Sequence, residues 1–321
     1  PNAEYVERLE PETSKILISS TVLVARYAKT STNVQLQDHI FSILIRFIEC
    51  FLDSKRSSFS SHAVEALRSL AQLSSQTVRE NYLLKMILTM LHNTSNDLLR
   101  ISALNLLPGL LELFTLPIIE GFISTEILSL MQDGRTEVKL AAFRTFFAII
   151  ERLDSDLLAR KFIDILAATP ADYANDVRIV FTRHITILAK RLPLVLFDKY
   201  LFDPFLINLS SRNRFVKEEA YAQIGELLTI LTPTDSSERL EKLYNVFCGL
   251  PRLISELSPS ARSAIIRANY SFVGRIFNIK GWRRWDVLLR FLKETEALET
   301  YLAESAKVSI AEQLDLLIPT G

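Results

Sequence analysis

A figure that returns every 39 residues constrains this chain more than anything else in it. It is plainest at residues 132–139, where the turn pair Asp133-Gly134 separates two apolar runs, 122–131 and 140–153. Stepping by 39 from Lys139 lands on Arg100 in one direction and on Arg178 and Lys217 in the other. The apolar positions travel with the basic one. Leu99, Val138, Val177 and Val216 form one column, and Leu107, Phe146, Ile185 and Ile224 a second. Leu110, Ile149, Leu188 and Leu227 form a third, and Phe114, Leu153, Leu192 and Leu231 close the units. A fixed period of this length, with helical spacing inside each unit, predicts stacked antiparallel helical hairpins. The chain is therefore expected to be an all-α solenoid of about seven to eight hairpins. With eight glycines in 321 residues, it also lacks the turn density of a sandwich or barrel.

The whole chain, 1–321, reads as one solenoid domain in three stretches: irregular repeats over 1–77, regular repeats over 78–231 and irregular repeats over 232–321. In the regular part, first helices are expected at 78–91, 117–131, 156–168 and 194–209, with second helices at 98–114, 138–153, 176–192 and 215–231. Pro117, Pro193 and Pro204 are placed at or near helix starts, where a missing N–H is tolerated. Pro108 falls inside a second helix and should kink it. Ala103, Ala142 and Ala220 mark where second helices approach their neighbours closely, and Ala63, Leu67 and Leu70 extend that pattern into the N-terminal stretch. Beyond 231 the step lengthens to 45, from Lys217 to Arg262 to Lys307, and two further pairs are expected, 238–253 with 259–277 and 282–299 with 304–318. The chain opens on Pro1 rather than Met, as expected of a piece of a longer array.

Charge and composition exclude several classes of function. Lys plus Arg and Asp plus Glu both number 37, which argues against a nucleic-acid partner. No apolar run is long enough to span a membrane. Cys50 and Cys248 lie far apart in apolar runs and read as buried reduced thiols, pointing to the cytoplasm or the nucleus. Three N-x-S sequons, at Asn93, Asn208 and Asn269, read as chance matches. No phosphate-binding glycine loop is present, and His39, His62, His92 and His184 never pair with another ligand at helical spacing. Neither a cofactor, a metal nor an enzymatic activity is expected.

A 39-residue hairpin array whose second helix opens on Val-Lys/Arg, with Ala three or four residues on, resembles the HEAT-repeat family. Within it the spacing is most similar to the scaffold subunit of type-2A protein phosphatases and related regulatory subunits. The resemblance covers 83–231 firmly. In that family a turn Asp six residues before the basic position forms a ladder between repeats. Asp133 and Asp172 match it, whereas Thr94 and Ser211 stand where the other two units would need it. The resemblance implies a non-catalytic scaffold within a hetero-complex. Its partners would be other proteins, such as a phosphatase catalytic subunit and a regulatory subunit. A karyopherin-like transport receptor and a tubulin- or cytoskeleton-binding array are alternatives within the same architecture.

Candidate binding residues follow from the stacking. A constant period sets equivalent turns side by side, so Asn96, Arg135, Tyr173, Arg212, Asn213 and Arg214 are expected along one edge. Arg, Tyr and Asn there suit a protein interface. The basic column Arg100, Lys139, Arg178, Lys217 reads either as a ladder with turn acids or as a charged ridge. A second candidate surface is the segment Trp282, Arg283, Arg284, Trp285, whose two indoles share a helix face, either as core packing or as an aromatic–Arg anchor. It lies in a basic stretch, eight Lys or Arg and one acid over 262–293, followed by six acids and one base over 294–315.

Overall fold

The computed structural model describes residues 6, 8–52, 60–172, 174–231, 238–255 and 257–275. The pair expected at 282–299 and 304–318 lies outside them. The described residues are helical, without a strand among them, and form helical rods joined by short turns. Two compact units divide the chain, Pro1–Lys161 and Phe162–Gly321.

In the first unit, α1 (Pro11–Ala28) packs on both α2 (Val34–Leu52) and α3 (Ser60–Leu73). The rod α4 runs over 76–91 and packs on α5, Asp97–Leu106. The rod α6 runs over 116–130 and packs on α7, Thr136–Ile149. The second helices α3, α5 and α7 touch in succession, the contact pattern of stacked hairpins. The rod α8, over 155–168, spans the boundary between the units.

In the second unit, α9 comprises Asn175–Arg183 and Ile185–Arg191, and α10 is a rod over 194–209. They are followed by α11 (Arg214–Leu231), α12 (Glu238–Leu253) and α13 (Pro259–Arg275). Helix α11 is the hub, in contact with α9, α10, α12 and α13.

The core is made of the columns read from the sequence. All sixteen of those positions are buried, from Leu99 and Val138 through Phe114 and Leu231. Ala63, Ala103, Ala142 and Ala220 are fully buried. Phe181, one period after Ala142, is fully buried as well, so this column tolerates a large side chain in the second unit. Cys248 is buried as expected; Cys50 is half-buried, on the rim of α2, with its thiol toward the Arg46 carbonyl at 3.4 Å.

The first helices depart from a plain α-helical reading. Four rods carry a π-turn, at Arg79–Leu83, Ile119–Ile123, Leu158–Phe162 and Asp198–Phe202. In the first two the wide turn closes through Leu84 N–H to the Arg79 carbonyl and Ser124 N–H to the Ile119 carbonyl, five residues back. Pro204 accordingly does not start its rod. It sits in mid-rod just after the turn Asp198–Phe202, and the carbonyl its ring would strike in a regular α-helix lies inside that widened turn. Three other rods carry the turn without a mid-rod proline, so proline accommodates to the turn rather than causing it. Pro108 behaves as expected: α5 ends at Leu106 and continues as 3-10 turns, Leu107–Gly109 and Leu111–Leu113.

One close approach in the second unit has a specific lock. Asn269 of α13 is fully buried against α11. Its amide oxygen accepts from Gly225 N–H at 2.8 Å, and its amide nitrogen donates to the Tyr221 and Ile265 carbonyls, each at 2.8 Å. A Cβ on Gly225 would stand 3.0 Å from both the Cα and the carbonyl oxygen of Asn269. Gly225→Ala should therefore destabilise the chain by about 1–3 kcal/mol through overpacking. Gly121→Ala meets nothing within 4 Å and should be neutral or stabilising by up to about 1 kcal/mol. Urea denaturation of the two variants checks the pair; equal midpoints would refute the lock.

Candidate functional site

The turn edge of the first unit is built on a buried guanidinium. Asn96 caps α5, its Oδ1 accepting from Leu99 N–H at 3.1 Å, and this places Arg100 one turn into the helix. Arg100 is 4% exposed. Its Nη2 meets Asp97 at 2.5 Å, and its Nη1 pairs with Asp133 of the next turn. Burial opposes the charge on Arg100, but hydrogen bonds to Asp97 and the proximity of Asp133 outweigh it and hold its pKa above the ordinary arginine value. Asp133 also accepts from Arg135 N–H at 2.7 Å, which shapes the turn. Arg135 itself is exposed, and its Nε approaches Asp97 at 3.7 Å. The two turns are thus joined by two carboxylates and two guanidinia, one buried and one facing water.

The second unit repeats the arrangement with neutral partners. Arg178 donates to Ser211 Oγ at 3.0 Å and to Asn208 Oδ1 at 3.1 Å. Asn208 is fully buried and donates in turn to Thr182 Oγ1 at 2.8 Å. Ser211 accepts from Asn213 N–H at 3.2 Å, just as Asp133 accepts from Arg135. Asn213 caps α11 through bonds from Phe215 N–H and Val216 N–H at 3.0 and 3.2 Å. Arg214 is tied to Glu218 at 2.6 Å. Arg212 is exposed and makes no ion pair among the described residues.

The ladder therefore exists within each unit, as Arg100 with Asp133 and as Arg178 with Ser211, and the basic residue reaches forward to the following turn. Of the candidate turn residues, Arg135, Arg212 and Arg214 are exposed, whereas Asn96 and Asn213 spend their side chains on capping. Tyr173, Trp282, Arg283, Arg284 and Trp285 lie outside the described residues. The sequence reading passed over Phe215. It stands one period after Asp176, two after Glu137 and three after Leu98, and both Leu98 and Phe215 are more than half exposed. An aromatic in a column that faces water was the signal available. Among the described residues no three His, Cys, Asp or Glu side chains converge as a metal site requires, and no helix is long and apolar enough to cross a membrane.

No family model and no curated protein matches the chain. Solved structures do. The karyopherin Kap121p bound to the extreme C-terminus of the protein phosphatase Cdc14p superposes with a TM-score of 0.62 at 14% identity, over 92% of this chain and 30% of that one. Kap121p bound to RanGTP gives 0.57 at 14% identity, over 93% and 32%. The Pds5–Scc1 complex gives 0.52 at 14% identity, over 87% and 42%. The chain has the helical-repeat fold of HEAT/armadillo-type proteins. It spans about a third of the length of the Kap121p chains it matches.

Ser211→Asp would give Arg178 the carboxylate that Arg100 has, with the turn bond preserved. It should stabilise the chain by about 1 kcal/mol. Asp133→Ala should cost about 2–4 kcal/mol, because Arg100 stays buried with one acid fewer. Denaturant midpoints of both variants test this; a destabilised Ser211→Asp variant would show that the neutral ladder is not a weaker copy of the charged one.

Proposed function

We propose that the chain is a non-catalytic protein-binding scaffold, acting as a scaffold or regulatory subunit of a protein phosphatase hetero-complex in the cytoplasm, with 1–321 forming one solenoid. The observation that carries the binding role is the construction of the turns. Buried or half-buried anchors fix them from below, Arg100 with Asp133 and Arg178 with Ser211, while Arg135 and Arg212 face water above. Within each unit, a turn whose backbone is already held in place loses little entropy on association, and an exposed Arg on it suits a protein partner. The phosphatase assignment rests on the 39-residue period and on Asp133 serving as the ladder acid. Equal totals of acidic and basic residues support protein partners over nucleic acid.

A karyopherin-like transport receptor is the second reading. The superposition of more than nine-tenths of the chain on Kap121p, described with RanGTP and with the tail of a phosphatase, favours it. Affinity capture with mass spectrometry separates the two: a phosphatase catalytic subunit supports the first, a small GTPase the second.

Arg212→Glu is the cleanest variant for the turn surface, because Arg214 is already committed to Glu218. Its stability should change by less than about 0.5 kcal/mol, as befits an exposed site. Affinity for the captured partner should fall at least about fivefold. Unchanged affinity would move the binding surface off the turns.

A further inference from the structure

A groove of about 480 Å³ crosses the second helices of the second unit. Asp176 and Ile179 of α9, Phe215 and Glu218 of α11, and Ala264 and Ile265 of α13 line it. We propose that this groove is a docking site for a basic, aliphatic segment of a partner protein, with a Lys or Arg stem on the Phe215 ring and its cation toward the carboxylate of Asp176. The inference rests on the protein-binding reading, but not on the phosphatase or the transport version of it.

Three features support this occupant. First, Phe215 is 64% exposed at the mouth of the groove, a cost in water that contact with a stem would remove. Second, Ala222, Ala261 and Ala264 keep the space open where larger side chains would fill it, and Ile179 and Ile265 make the floor apolar. Third, of the three carboxylates in the lining, Asp176, Glu218 and Glu219, one is left uncompensated. Glu219 is engaged by Arg183, and Glu218 accepts from Arg214 at 2.6 Å. Asp176 is exposed and makes no ion pair among the described residues. An anionic ligand would meet repulsion from Asp176, and a purely apolar one would leave that carboxylate unanswered. A cation on an aliphatic stem satisfies both, and an aromatic face beside carboxylates is a setting in which such a cation gains from both.

The test uses the full chain and a short fluorescein-labelled peptide alternating lysine and leucine, with a glutamate-for-lysine peptide as control, read by fluorescence anisotropy. The lysine peptide should bind, the control should not, and affinity should fall as salt rises. Phe215→Ala and Asp176→Lys should each weaken binding at least about fivefold, with circular dichroism and melting unchanged because both side chains are exposed. Equal binding of the two peptides, or wild-type affinity in both variants, would overturn the proposal. So would a concentration-dependent dimer that Phe215→Ala dissolves, since a second copy would then own the groove. The peptide assay needs no cellular partner, so its failure beside a successful capture sinks the groove alone. Peptide binding through the groove with no partner captured sinks the phosphatase and transport readings and leaves the groove standing.

Discussion

A hairpin of about 39 residues cannot bury both faces of its second helix by itself; each unit depends on the next for its remaining apolar contacts. Everything else in this molecule follows from that dependence. The second helices accordingly bury small residues, Ala103, Ala142, Ala220 and Gly225, and at Gly225 the backbone of Asn269 comes close enough that no larger side chain fits. The dependence also requires a constant register, so the apolar columns recur without a gap from Leu99 to Leu231. Finally, it makes the polar anchors between successive repeats matter, because apolar contact alone is non-directional and would permit sliding.

The anchors solve that problem in two ways. Around Arg100 the solution is ionic, a nearly buried guanidinium held by Asp97 and Asp133. Around Arg178 it is a neutral network of Ser211, Asn208 and Thr182. A buried charge carries a desolvation penalty that only good partners offset, so the ionic version is the more demanding of the two. Further along, Asn269 does the same work without a charge by inserting its amide at the Tyr221–Gly225 turn of α11.

The sequence made the array legible because burial imposes a period, and the columns, the close-packing alanines and the break at Pro108 could all be read from it. The π-turns were hidden, since a wide turn needs no special residue: Arg79–Leu83 and Ile119–Ile123 share no composition that marks them. Pro204 misled for the same reason. The sequons at Asn208 and Asn269 look like surface motifs on paper, yet both amides are buried in hydrogen-bond networks. At the candidate site the exposed arginines were found by their place in the period. That two asparagines were occupied as caps, and that Phe215 faces a groove, depends on neighbours across helices that no local pattern encodes.

A π-turn is an α-helix holding one surplus residue. Removing one residue within it would restore regular geometry and leave the flanking faces in place. The same deletion elsewhere in a rod would rotate the remainder by about 100° and turn its apolar stripe to water. Each first helix that carries the turn therefore has a built-in position where its length can drift by one.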